Sequence, residues 1–167
     1  MEAQLQFAAA GDREPRGSRP TSAPSIQLHW RVAHMRAAYV YAAMAKPDKR
    51  KVGCVIAAGE HILSYGINGT PKGESNLCET VEADGHILTL PNAIHADRNA
   101  LRKLGERGLD CHGATAFITY QPCLDCASRL RQAGIVEVYY SEPSRHPEGV
   151  EHLRAHGIRC ELLELDA

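Results

Sequence analysis

Aromatic side chains are scarce in this sequence: one Trp, two Phe and six Tyr make up 5% of its 167 residues. A surface that stacks successive unpaired bases needs aromatic platforms along a basic groove. This chain has few platforms and, at a net charge of -1, no excess of positive charge. A long nucleic acid is therefore not the expected partner. No apolar run reaches the length that crosses a bilayer, and no signal-peptide pattern opens the sequence, so no membrane partner is expected. Six cysteines are present, but Cys123 and Cys126 form a Cys-x-x-Cys pair. The set reads better as thiols in a reducing, cytoplasmic setting than as a disulfide framework. What the chain does have is 44% hydrophobic residues, enough for one domain with a sizeable core.

Residues 1–25 carry Gly11, Pro15, Gly17, Pro20 and Pro24 with no apolar periodicity, and the pattern predicts a disordered N-terminal tail. Residues 26–167 are expected to form a single domain. From Gln27 the apolar residues Leu28, Val32, Met35 and Tyr39 recur at helical spacing, which predicts a helix closed by Pro47. Val52–Ala58 and His61–Ile67 read as a hairpin hinged at Gly59-Glu60. Asn68 to Gly73 forces a loop, and the mixed stretch from Glu74 to Leu90 is expected to hold no regular structure. A helix over Ala93–Leu104 would place His95 and Asp97 near its first turn, and Gly105 and Gly108 would stop it. A strand over Ala114–Thr119 follows, then a helix over Cys123–Ala133 with Pro122 as its first-turn proline. A strand over Val136–Tyr140, a helix over Gly149–His156 and a strand over Arg159–Leu163 complete the pattern. Helices alternating with strands after a hairpin predict a three-layer α/β/α sandwich on a mixed five-stranded sheet.

The chemistry concentrates in His95-Ala96-Asp97 and Pro122-Cys123-Leu124-Asp125-Cys126. One imidazole and two thiols one helical turn apart suit a zinc ion, and the positive end of a helix favours the thiolates. Three ligands leave the fourth tetrahedral position to water, the arrangement of a catalytic zinc, and Asp97 stands beside it to move protons. A redox dithiol is the competing reading of the cysteine pair, although it gives His95 and Asp97 no role. A closed structural site is another, with Cys54, Cys78, Cys111, His86 or His112 as fourth ligand, yet their spacing matches no finger pattern. A second metal among Cys78, His86, Cys111 and His112 has only weak support.

Four segments occur in order: Val52-Gly53-Cys54-Val55-Ile56, the Asn68-Gly69-Thr70-Pro71-Lys72-Gly73 loop, His95-Ala96-Asp97-Arg98-Asn99-Ala100 and Pro122 to Ala127. Together they resemble the deoxycytidylate deaminases of the cytidine deaminase superfamily, over about residues 28 to 142. The resemblance implies a cytidine deaminase-like fold and hydrolytic deamination of dCMP to dUMP, a step that supplies the precursor of dTMP. It implies one catalytic Zn2+ on His95, Cys123 and Cys126. Asp97 would pass a proton from the attacking water to ring N3 and assist the loss of ammonia. Asn68 matches a position that hydrogen-bonds the sugar, the backbone N–H of Ala96 one that holds the base, and Asn99 a brace of the site. The resemblance further implies hexamers, and an allosteric site for dCTP, or for dTTP with Mg2+, with Gly69, Thr70 and Lys72 as its contacts.

The chain departs from the family pattern at one position, where Asp97 replaces a glutamate. One methylene fewer leaves the carboxylate about 1 to 1.5 Å short. Three readings follow: a working deaminase, with dCMP or a modified cytosine nucleotide as substrate; a deaminase-like nucleotide-binding protein with little turnover; or a site that draws on another carboxylate, Glu79 or Glu82. Deamination of a base in nucleic acid is the reading that the composition disfavours. The substrate's phosphate needs a cation, and Lys49, Arg50, Lys51, Lys72, Arg98, Arg102 and Lys103 are the supply near the motifs.

Overall fold

The computed structural model describes residues 26–47, 50–71, 73 and 78–165; the N-terminal tail expected over residues 1–25 lies outside them. Eleven elements follow in chain order: α1 (Leu28–Ala42), β1 (Gly53–Ala58), β2 (His61–Ile67), β3 (Glu79–Val81), β4 (Ile87–Thr89), α2 (Ala96–Glu106), β5 (Thr115–Tyr120), α3 (Leu124–Gln132), β6 (Glu137–Glu142), α4 (Glu148–Ala155) and β7 (Arg159–Leu162). The five-stranded sheet runs β2-β1-β5-β6-β7. It is antiparallel from β2 through β1 to β5 and parallel from β5 through β6 to β7. The β1–β2 hairpin turns at Gly59-Glu60, with Ala58 opposite His61.

Side chains alternate across the sheet, and both faces are covered. Val55, Ala57, Phe117 and Tyr139 meet Met35 and Ala38 of α1 on one face. Cys54, Ile56, Ala116, Ile118, Val138 and Cys160 meet α2, α3 and α4 on the other. One helix on one side and three on the opposite side complete the expected three-layer sandwich on a mixed sheet.

The structure differs from the sequence reading at four places. The stretch from Glu74 to Leu90, expected to be irregular, contains the β3–β4 hairpin, in which Glu79 pairs with Thr89 and Val81 with Ile87. Three-residue strands are too short to show alternation, but the Asp84-Gly85 turn between them was a hairpin signal. The first helix ends at Ala42 rather than near Pro47, and the Met44 and Ala45 N–H groups close tight turns onto Tyr41 and Ala42. Proline disfavours helical conformation in the residue before it, so the chain is already unwinding there. The helix expected from Ala93 starts only at Ala96, because Ile94 is held extended by a two-way bridge: its N–H donates to the Gly69 carbonyl at 2.7 Å and its carbonyl accepts from the Gly69 N–H at 3.1 Å. The helix expected from Cys123 starts at Leu124, which puts Pro122 before the cap and not in the first turn.

Helix α2 lies close against β2, and Gly66 makes that approach possible. A Cβ there would run into the Ala96 carbonyl and the Ala100 nitrogen. Two side chains hold the seam: Ser64 Oγ donates to the Ala100 carbonyl and Asn99 Nδ2 to the Ile67 carbonyl, both at 2.9 Å. Gly66→Ala is expected to lower unfolding stability by about 1–3 kcal/mol through overpacking, and to slow turnover by displacing the start of α2. Urea unfolding beside an activity assay measures both, and an unchanged midpoint would contradict this account of the seam.

Candidate metal centre and active site

His95 and Cys123 occupy equivalent places: each caps the N-terminus of a helix, α2 and α3, in extended conformation. Cys126 follows in the first turn of α3. The three donor atoms lie within 4.8 Å of one another. His95 Nδ1 stands 3.6 Å from Cys123 Sγ and 3.3 Å from Cys126 Sγ. Tetrahedral zinc, with ligands at about 2.1 Å for nitrogen and 2.3 Å for sulfur, sets N and S about 3.6 Å apart, so the cluster fits that ion. Among the described residues this is the one His, Cys, Asp and Glu group with such spacing; Cys78, His86, Cys111 and His112 form no second cluster.

The two thiols are unequal. Hydrogen bonds with Cys126 and then His95 pull the Cys123 thiol down to about 4, while its bond with Cys123, followed by burial, drives Cys126 far up. Negative charge is thus favoured on Cys123 over Cys126, and a bound cation would draw both as thiolates. The Cys123 hydrogen bond also raises His95.

Asp97 lies one residue into α2 and is 4% exposed. Burial raises its carboxyl above the ordinary range, while the hydrogen bond with Cys126 and the Arg98 N–H, which donates to Oδ1 at 2.9 Å, pull it back. The acid is therefore in contact with one member of the donor cluster and fixed by the backbone of its own helix.

His95, Asp97 and Cys123 open into a cavity of about 290 Å³, bounded also by Asn68, Ala96 and Tyr120. It lies at the C-terminal end of β5, the usual position for a ligand in an α/β sheet. Asn68 sits in the wall, but its side chain spans the neighbouring backbone: Nδ2 donates to the Arg50 carbonyl and Oδ1 accepts from the Val52 N–H, both at 2.8 Å. The Ala96 N–H belongs to the first turn of α2, where N–H groups have no partner within the helix. Gly69 lines the cavity, Thr70 does not, and Lys72 lies outside the described residues. Of the two alternative carboxylates, Glu79 lines the cavity and Glu82 does not.

Sequence reasoning left several wall residues without a place. Thr89 comes from the unexpected hairpin, and Tyr120 and Gln121 precede the cysteine pair. Gln121 braces the following loop, donating to the His146 carbonyl at 2.7 Å and accepting from the Ser144 N–H at 3.1 Å. The signal for these two was their location, at the end of a strand running into the Cys-x-x-Cys helix.

A three-layer α/β/α sandwich with a His, Cys, Cys donor set on two helix N-termini and a buried carboxylate beside it is the architecture of a zinc-dependent deaminase. Residues 28–142 match the family described as the cytidine and deoxycytidylate deaminase zinc-binding region, and the chain belongs to that family. Among its relatives, the ComE operon protein 2 of Bacillus subtilis is 28% identical over 84% of this chain and 74% of its own length. The deoxycytidylate deaminase of Saccharomyces cerevisiae is 33% identical over 75% of this chain, and the match spans 42% of that protein. Among solved structures, the dCMP deaminase of cyanophage S-TIM5 in complex with dCMP and dUMP superposes with a TM-score of 0.76 at 32% identity, over 83% of this chain and all of that one.

Proposed function

We propose that this protein hydrolyses dCMP to dUMP and ammonia. The observation that carries the reading is the donor cluster of His95, Cys123 and Cys126, two of whose members open with Asp97 into one cavity, and the likeness to deoxycytidylate deaminases supports the choice of substrate. Zinc on His95, Cys123 and Cys126 would supply a water acidified from about 15.7 to about 7. Asp97 would carry one proton of the attacking water to ring N3 and then the remaining hydroxyl proton at C4 to the departing amino group, which leaves as ammonia. The Ala96 N–H and the Asn68 amide are the chain's own groups for holding base and sugar.

On the family resemblance the proposal extends to a homo-oligomer, a hexamer, and to regulation by dCTP, or by dTTP with Mg2+, at the loop carrying Gly69, Thr70 and Lys72. The six free cysteines fit the reducing, cytoplasmic setting we propose for it. Among the described residues no helix is long and apolar enough to cross a membrane.

Ammonia release by zinc-loaded protein should be measured across dCMP, dCTP, cytidine, free bases and RNA. Release from dCMP alone is the expected result, and stoichiometric zinc with no turnover of any substrate would overturn the proposal. Chelation should abolish turnover and lower the melting temperature, both recovering when zinc is added back, because an ion bound only by the folded state stabilises it. A melting temperature indifferent to chelator would mean that the cluster holds no metal.

A further inference from the structure

The three donors are held by different means. Cys126 is buried within α3. His95 follows Ile94, which the two-way bridge with Gly69 fixes. Cys123 has neither support: of the six cysteines it alone is exposed, and it precedes the first turn of α3. Its place in the cluster therefore depends on the backbone that carries it.

That backbone is fixed from several sides. The Gln121 N–H donates to the Glu142 carbonyl at 2.9 Å, which extends the pairing of β5 with β6 past the last residue of β5. The Gln121 side chain is buried, and its carboxamide closes on the chain just beyond β6: Nε2 donates to the His146 carbonyl at 2.7 Å and Oε1 accepts from the Ser144 N–H at 3.1 Å. Ser144 Oγ accepts in turn from the His146 N–H at 3.2 Å. Pro122 then fixes its own φ and confines Gln121 to extended conformation. On the far side α4 lies flush with the Pro122–Cys123 peptide, and Gly149 makes the room, since a Cβ there would run into the carbonyls of both residues. The partners in these contacts, residues 144–146 and α4, lie beyond the stretch that matches the family.

We propose that Gln121 and Gly149 are positioning residues of the metal centre: through them the β6–α4 loop and α4 hold the Cys123 backbone where its thiol meets Cys126 and His95. This rests on the reading of the cluster as a zinc site. Donors set in advance need no ordering when the ion arrives, so freeing the exposed one lowers affinity. Helix α4 thereby acts on the centre although none of its residues lines the cavity.

The test uses the full chain carrying Gln121→Glu, Gly149→Ala or, as a control, Leu153→Ala. Gln121→Glu keeps the side-chain volume and the acceptor for Ser144 but sets an oxygen against the His146 carbonyl. Gly149→Ala pushes α4 off the Pro122–Cys123 peptide. Leu153→Ala, a turn further along α4, removes packing from the core and leaves both contacts in place. Three quantities are read: zinc affinity by chelator competition, the ligand-field spectrum of the cobalt(II)-loaded protein, and amide hydrogen exchange over residues 121–127 of metal-free protein relative to α2. The first two variants are expected to lower zinc affinity about 10–100-fold, to alter the cobalt(II) spectrum, and to speed exchange over residues 121–127 more than over α2. Leu153→Ala should lower the melting temperature and keep the parent's zinc affinity and spectrum. Zinc affinity unchanged in both of the first two variants, or lowered as far by Leu153→Ala, would overturn the proposal. If Gly149→Ala does not fold, Gln121→Glu decides. Should the parent protein hold no zinc, the metal-site reading fails while hydrogen exchange still decides the role of Gln121 and Gly149: faster exchange over residues 121–127 sustains it, and exchange that rises no more there than in α2 refutes it.

Discussion

Zinc-loaded protein carrying Asp97→Asn is expected to deaminate dCMP about a thousandfold more slowly than its parent, the middle of the range for a lost general acid–base group. The substitution keeps the side-chain volume and an oxygen able to accept the Arg98 N–H, so zinc content and fold should hold. The loss would appear in kcat, since the carboxylate moves protons and does not grip the ground state. A variant retaining more than a tenth of parental kcat would remove Asp97 from the mechanism and turn attention to Glu79, the other carboxylate in the cavity wall. Asp97→Glu probes the same group from the other side. A reach error of about 1 Å can cost on the order of a hundredfold, so the longer acid is expected to accelerate dCMP deamination by up to that factor. An unchanged or lower rate would mean that the packing around this buried carboxyl, hydrogen-bonded with Cys126, is fitted to the shorter side chain.

Cys126→Ala should have the other large effect. It removes one of three donors, and it is the donor that touches Asp97. Zinc retained after dialysis is expected to fall well below one per chain. Turnover should fall on the order of ten-thousandfold or more, because water without the ion returns from a pKa near 7 to about 15.7. Cys54→Ala, a buried thiol on the neighbouring strand outside the donor cluster, is the matched control and should keep its zinc. Elemental analysis of both proteins decides the matter; full zinc in the Cys126 variant would dissolve the proposed ligand set.

Much of the frame was legible because its signals are local. Helical spacing located α1, the Gly59-Glu60 hinge located the first hairpin, and the alternation of strands and helices gave the layers. The convergence of His95 with Cys123 and Cys126 was legible too, since zinc chemistry restricts residue type and spacing so tightly. What escaped is non-local. His95 is a cap rather than a helical residue because of a bridge from Ile94 to Gly69, made across a gap in sequence that no periodicity reports. Arg50 was one of seven cations near the motifs in sequence, and its place over the Tyr120 ring depends on a strand far along the chain. The bonds of Asn68 to the Arg50 carbonyl and the Val52 amide depend on how β2 returns beside β1.

The Gly69–Ile94 bridge has a consequence for how such an enzyme can diversify. The chain leaves the sheet after β2 and comes back at the same spot just before His95, so everything between is a cassette clipped shut at its base. A doubling of loop length adds only about 0.6 kcal/mol of closure entropy. Lineages can therefore lengthen, shorten or rewrite this segment, whose β3–β4 hairpin lends Cys78, Glu79 and Thr89 to the cavity wall, while the catalytic half keeps its register. Taste for a new substrate can change in the cassette while the reaction itself is inherited intact.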